Sequence, residues 1–125
     1  MIEQIDAAAK FLAEFEKKLP VMTAFWLKTG EEASWYLYVA PDEFDHNTVD
    51  VPYREVIRLA GEMRDPNFDP FQVKIIKPSD PLAKAALDFH QRFPGRTPIR
   101  LHQRYFGGIS ADEVYIYPTP ITVSS

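Results

Sequence analysis

Three basic residues alternate along one short β-prone segment: Arg100, His102 and Arg104. Side chains two positions apart on a strand point to the same side, so this spacing predicts a single cationic surface. Arginine binds phosphate or carboxylate through a planar pair of N–H donors, and histidine exchanges a proton near neutral pH. The pattern therefore indicates a candidate anion-binding patch.

The segment that follows is predicted to supply the other half of this patch. Pairing the apolar residues of the two strands puts Tyr115 and Tyr117 on the same outer side as the three basic residues. Their hydroxyls and rings add hydrogen-bond donors and stacking surfaces. Glu113 falls on this side too. The alternative to an anion-binding patch is an ion pair of Glu113 with Arg100 or Arg104, which neutralises the arginine without a ligand.

The remaining motifs favour structural roles over chemistry. The chain has no cysteine, which excludes disulfides and thiolate chemistry. Residues 41–51 are acidic, but their spacing does not fit a calcium loop, so a solvated connection without a metal or cofactor is expected. His90 is interpreted as a cation stabilised by the end of a helix, and Gly107 and Gly108 as a tight turn.

Composition limits the range of partners. Lys and Arg number 14 against 18 Asp and Glu, and the net charge of −4 argues against nucleic acid as a partner. No apolar run approaches the roughly 20 residues of a membrane span, so no membrane association and a cytoplasmic location are expected. Aromatic residues make up 14% of the chain. This richness favours an interface, either in a homodimer or with another protein.

Apolar periodicity predicts the elements that must position the patch. Helices are predicted over residues 3–19, 50–64 and 81–93. Strands are predicted over residues 21–28, 34–40, 71–77, 99–106 and 113–117. The near-continuous apolar run in 71–77 predicts a central strand.

These elements predict one α+β domain over residues 1–118, followed by a C-terminal tail at 119–125. The element order is α-β-β-α-β-α-β-β. We expect two layers: a mainly antiparallel five-stranded sheet with about three helices packed on one face. Alternation in the second strand predicts that Trp35, Leu37 and Val39 face the core.

Three classes of function are compatible with these features. The first, favoured because no catalytic motif is present, is a non-enzymatic binding or interaction protein that uses the aromatic and basic sheet face. In the second, Arg100 and Arg104 hold a phosphate-containing ligand such as a nucleotide. The protein then either only binds this ligand or is a small enzyme that uses His102 as the acid–base group. In the third, single-stranded nucleic acid stacks on four tyrosines: Tyr36, Tyr38, Tyr115 and Tyr117.

Overall fold

A computed structural model of the chain describes residues 2–30, 34–95 and 97–118. These residues form three helices and one five-stranded sheet in the order α-β-β-α-β-α-β-β, which confirms the predicted α+β class and element order. The predicted tail at 119–125 lies outside the described residues.

The boundaries agree with the predictions at most elements. The helices are α1 (Ile2–Lys18), α2 (Asp50–Met63) and α3 (Pro81–Arg92). The strands are β1 (Val21–Lys28), β2 (Trp35–Pro41), β3 (Val73–Ile75), β4 (Ile99–Phe106) and β5 (Ile109–Ile116). The third strand is shorter than predicted because a turn of 3-10 helix, Pro70–Gln72, occupies its start.

The strands lie side by side in the order β3-β2-β1-β5-β4. Neighbouring strands are antiparallel except β2 and β3, which are parallel. Strand β3 is therefore at an edge and not in the centre as predicted. Its apolar residues Val73 and Ile75 are buried under α2, and the Tyr53 hydroxyl of α2 accepts a hydrogen bond from the Ile75 N–H at 3.0 Å.

The helices cover both faces of the sheet, which differs from the expected two-layer arrangement. Helices α1 and α2 pack on the face that carries Leu37 and Val39, whose burial confirms the predicted facing of β2. Helix α3 packs on the opposite face, against Phe25 and Leu27 of β1. The physical reason lies in β1, where consecutive apolar side chains point to opposite faces and both faces need a cover.

Helix α3 begins as its sequence predicts. The Asp80 carboxylate accepts a hydrogen bond from the Leu82 N–H at 2.9 Å, and Pro81 occupies the first helical position. Asp50 could cap α2 by the same residue preference, but it lies inside that helix and its carboxylate pairs with Arg54 at 2.9 Å. Among the described helices, none combines the length and apolar character that crossing a bilayer requires.

Candidate functional site

The β4–β5 hairpin sets the predicted patch residues into direct cross-strand pairs. The pairs are Arg100 with Tyr115, His102 with Glu113, and Arg104 with Ala111. Residues paired in this way project to the same side of a sheet. The Arg104 side chain therefore points to the same side of the sheet as Ala111, which packs in the core on the α3 side.

Gln103 reverses the alternation of β4 and separates Arg104 from the other two basic residues. Its φ of 45° lies in the left-handed region, which few residues other than glycine adopt. After this residue the even-numbered side chains of β4 point to the α3 side, as Phe106 in that core shows. Cζ of Arg104 accordingly lies 5.1 Å from the centre of the Phe89 ring. The expectation that Arg100, His102 and Arg104 share one strand face is therefore wrong at Arg104.

Arg100 stacks against its cross-strand neighbour on the α1 side. Cζ of Arg100 lies 5.0 Å from the centre of the Tyr115 ring, a cation–π distance. Tyr115 is half-buried against the core beneath α1, and this burial raises the pKa of its hydroxyl, although the charge of Arg100 opposes the rise. The Tyr115 hydroxyl thus remains protonated at neutral pH.

Tyr117 lies in the core and not on an open surface. Its side chain is 3% exposed, its hydroxyl accepts a hydrogen bond from Nε1 of Trp26 at 2.9 Å, and it donates to the carbonyl oxygen of Ile5 at 2.7 Å. Burial raises the pKa of Tyr117 far above its ordinary value. The hydroxyl is therefore engaged in joining α1 to the sheet.

Glu113, the alternative partner considered for Arg100 or Arg104, lies beside His102 instead. Nδ1 of His102 lies 3.7 Å from Oε1 of Glu113, and the His102 side chain is 68% exposed. Among the described residues, neither Arg100 nor Arg104 has a carboxylate partner. The structure thus brings Arg100, His102 and Tyr115 together on one side of the hairpin and places Arg104 on the other.

Arg104 borders an apolar groove, here named the α3–β4 cleft, between the end of α3 and strand β4. The cleft has a volume of about 550 Å³. Its lining consists of mainly apolar residues and three arginines: Phe89, Arg92, Phe93, Pro94, Gly95, Thr97, Pro98, Ile99, Arg100, Leu101 and Arg104. The cleft combines an apolar floor with a cationic rim.

The three arginines at the cleft differ in how they are engaged. Nε of Arg92 lies 3.2 Å from the carboxylate of Asp88, one turn earlier on α3. Arg100 reaches the cleft border, but its guanidinium lies over Tyr115 on the other side of the sheet. Arg104 is exposed, lies over Phe89 and lacks a carboxylate partner within the described part of the chain. Among the described residues, it is the cation best placed to receive an anion in this cleft.

His90 has a structural role that differs from the expected one. Its Nε2 lies 3.2 Å from Oγ1 of Thr23, a fully buried residue of β1. Burial lowers the pKa of His90, so the neutral imidazole is favoured and not the cation expected at a helix end. His90 is turned into the core and does not line the cleft.

This burial predicts a loss of stability in acid. Both states are neutral at His90 above its ordinary pKa of about 6.5, and the unfolded chain gains the proton first as the pH falls. The free energy of unfolding is therefore expected to decrease from about pH 6.5 towards the lower pKa of the folded state. Urea titrations across this range measure the decrease, and it should be smaller in His90→Gln.

A matched control separates His90 from the other titrating groups. His46 is exposed in the loop before α2, so His46→Gln is measured in the same titrations as the comparison for loss of a histidine. An unchanged pH dependence in His90→Gln would contradict a neutral, buried His90.

The four tyrosines expected to stack with nucleic acid are divided between the two faces of the sheet. Tyr115 and Tyr117 lie on the α1 side. Tyr38 stacks on Phe25 at 5.3 Å, on the α3 side, and Nζ of Lys74 lies 4.0 Å from the centre of the Tyr36 ring. A single platform of these four rings is therefore not formed.

The acidic connection before α2 shows caps and not a metal centre. Asp45 accepts a hydrogen bond from the Asn47 N–H at 2.9 Å and so caps the turn His46–Thr48. Across residues 2–30, 34–95 and 97–118, no group of three or more His, Asp or Glu side chains is arranged to hold a metal ion.

Sequence reasoning missed the α3–β4 cleft because its walls come from two separate elements. Helical spacing puts Phe89 and Phe93 on one apolar stripe and predicts that both are buried, yet Phe93 is largely exposed and borders the cleft. A large aromatic residue directly before Pro94 and Gly95 was the available signal, since a helix ends there and its last apolar residue has no further cover.

No protein-family model matches this chain, and comparisons with curated proteins and with solved structures gave no match.

Proposed function

We propose that this is a non-enzymatic binding protein whose α3–β4 cleft takes an anionic group attached to an apolar body. The anionic group, a carboxylate or a phosphate, pairs with Arg104. The apolar body packs on the floor formed by Phe89 and Leu101 and against the exposed ring of Phe93. The volume of about 550 Å³ is in the range of small-ligand sites.

The observation that supports this proposal is the direction of Arg104. In a regular strand Arg104 would point to the α1 side with Arg100, and the left-handed backbone of Gln103 turns it to the cleft. Such a backbone costs about 1–2 kcal/mol in a residue other than glycine. Strained backbone of this kind is concentrated at functional sites, where it directs a side chain.

The surroundings of Arg104 suit an anion that carries an apolar group. Its guanidinium lies over the Phe89 ring and the residue is exposed, so an anion can reach the N–H edge of the guanidinium. A bidentate contact from this edge holds the two oxygens of a carboxylate or phosphate in one plane. Burial of the attached group on Phe89 and Phe93 adds affinity that a free inorganic anion lacks.

Binding is favoured over catalysis by the chemistry of the cleft lining. Among the described residues that line it, none carries an imidazole or a carboxylate that could transfer a proton. His102 lies on the far side of the hairpin beside Glu113, and His90 is turned to Thr23. The alternative in which His102 acts on a ligand held by Arg104 therefore has less support.

Loss of the Arg104 charge is expected to weaken binding of an aromatic acid about 10- to 100-fold, because a hydrogen bond to a charged group contributes about 1.5–3 kcal/mol. The measurement is an NMR titration of wild type and Arg104→Gln with 3-phenylpropionate, phenyl phosphate, inorganic phosphate and the uncharged amide 3-phenylpropanamide. The two aromatic anions together test the shared chemistry, and their relative affinities distinguish carboxylate from phosphate.

Arg54→Gln is the matched control, since Arg54 is an exposed arginine of α2 on the opposite face of the sheet. It should bind both aromatic anions as wild type does. Equal affinity for the anions and the amide, or unchanged binding in Arg104→Gln, would exclude the proposed role of the cleft.

A further inference from the structure

Strand β4 has a free edge next to the α3–β4 cleft. It is the last strand in the sheet order, and within the described residues no strand pairs with its outer side. A strand edge offers a row of N–H and C=O groups to any extended chain that approaches it. Gln103 interrupts the ladder, so the regular part of this edge is residues 99–102.

The two sides of this regular part differ in chemistry. Ile99 and Leu101 point to the α3 side, where they line the cleft. Arg100 and His102 point to the other side and are exposed. A strand added at this edge would place its own side chains alternately beside these two pairs, so the matching partner alternates apolar and acidic residues.

A second copy of this chain fits the edge less well. Pairing two β4 strands with their apolar residues on one side would place Arg100 of one copy close to Arg100 of the other, and like charges facing each other across strands are destabilising. Cationic residues on an edge thus act against self-pairing while they attract an acidic strand.

The cleft and the edge share Ile99 and Leu101, and Arg104 borders the cleft just beyond the edge, so one ligand can occupy both. We propose, on the basis of the binding function proposed above, that the ligand is an extended acidic segment of a partner protein that adds to β4 along residues 99–102. Its apolar side chains enter the cleft, its carboxylates lie beside Arg100, and one further carboxylate reaches Arg104. Main-chain hydrogen bonds supply affinity, and the alternating side chains supply specificity.

The test uses a fluorescent peptide that alternates glutamate and valine, titrated with the full chain and followed by anisotropy. Two further peptides carry N-methyl groups on either the glutamates or the valines, and a fourth has the same composition with glutamates and valines in separate blocks. We expect one N-methylated peptide to lose at least about tenfold in affinity while the other binds like the parent, because only every second residue directs its N–H to the edge. A slip of one residue does not rescue it, since the slip moves the glutamates to the apolar side.

Protein variants test the side-chain contacts in the same assay. Arg100→Gln should weaken the parent peptide about three- to tenfold, as expected for a partly exposed charge contact, and Arg54→Gln should leave it unchanged. Equal binding of the block peptide, or equal binding of both N-methylated peptides, would show attraction by charge alone and overturn strand addition. A dimer of this chain that the peptide cannot dissociate would also overturn it.

The two proposals fail in different ways. If the alternating peptide does not bind while 3-phenylpropionate still binds in an Arg104-dependent manner, only the strand-addition proposal is wrong. If neither binds, the cleft itself is not a binding site.

Discussion

Replacing Gly107 with alanine is expected to lower the free energy of unfolding by about 2–4 kcal/mol. Gly107 has a φ of 60°, and a Cβ placed there would lie 2.8 Å from Cα and 2.9 Å from N of Leu82. These are backbone atoms of the first turn of α3, so the helix or the hairpin must move to relieve the contact. The prediction of a turn with positive φ at Gly107 and Gly108 is confirmed, but this contact is an additional constraint.

Gly108→Ala is the matched comparison for this substitution. Gly108 has a φ of 88°, yet a Cβ there would meet no atom within 4 Å. Only the backbone strain remains, and a loss of about 1 kcal/mol is expected. Urea unfolding followed by tryptophan fluorescence measures both variants, and equal losses would show that the contact with Leu82 is not limiting.

Tyr117→Phe is the second change with a large expected effect, a loss of about 2–4 kcal/mol in the free energy of unfolding. The substitution keeps the ring and removes one oxygen that serves two buried groups, the Trp26 N–H and the Ile5 carbonyl. The Trp26 N–H is left without this partner away from water, since Trp26 is 2% exposed. The Ile5 carbonyl, inside α1, loses its second hydrogen bond and keeps the helical one. Chemical denaturation of the purified variant gives the loss directly.

Tyr105→Phe controls for removal of a tyrosine hydroxyl from the same hairpin. Tyr105 is 79% exposed, so this change should alter stability by less than about 0.5 kcal/mol. A loss in Tyr117→Phe no larger than that of Tyr105→Phe would contradict the structural role of the Tyr117 hydroxyl. The folded fraction of Tyr117→Phe should still bind aromatic acids, because Tyr117 does not line the α3–β4 cleft.

Local signals predicted most of the elements of this fold. Asp80 and Pro81 start α3 by chemistry that is contained in the segment itself, and the shared side of Arg100 and Tyr115 follows from apolar alternation. The register of the last hairpin could not be predicted, because alternation gives the side of a residue and not its partner. Such signals do not show on which side of the sheet each helix packs. Apolar residues at helical spacing indicate which side chains are buried, but not which face of the sheet they are buried against. The run from Phe25 to Leu27 held the relevant information: apolar side chains on both sides of one strand require cover on both.

The candidate site was predicted as far as regular alternation extends. Arg100, His102 and Tyr115 share a side because strand geometry repeats every two residues. Arg104 could not be placed correctly, since glutamine is not a residue type that signals left-handed backbone. Tyr117 was misplaced for a different reason: alternation gives its side but not the helix that covers it.

The central position of β1 has a consequence for how the chain acquires its fold. β1 can form a local hairpin with β2, but its other neighbour, β5, is distant in sequence. Trp26 and Tyr117, whose side chains form a hydrogen bond, are 91 positions apart. Closing so long a loop is slow compared with local pairing. We therefore expect refolding to show an early phase without the Trp26–Tyr117 contact, in which the β5-side edge of β1 is open to other chains. Dilution should favour recovery of the native protein, because aggregation through that edge depends on concentration and closure of the sheet does not.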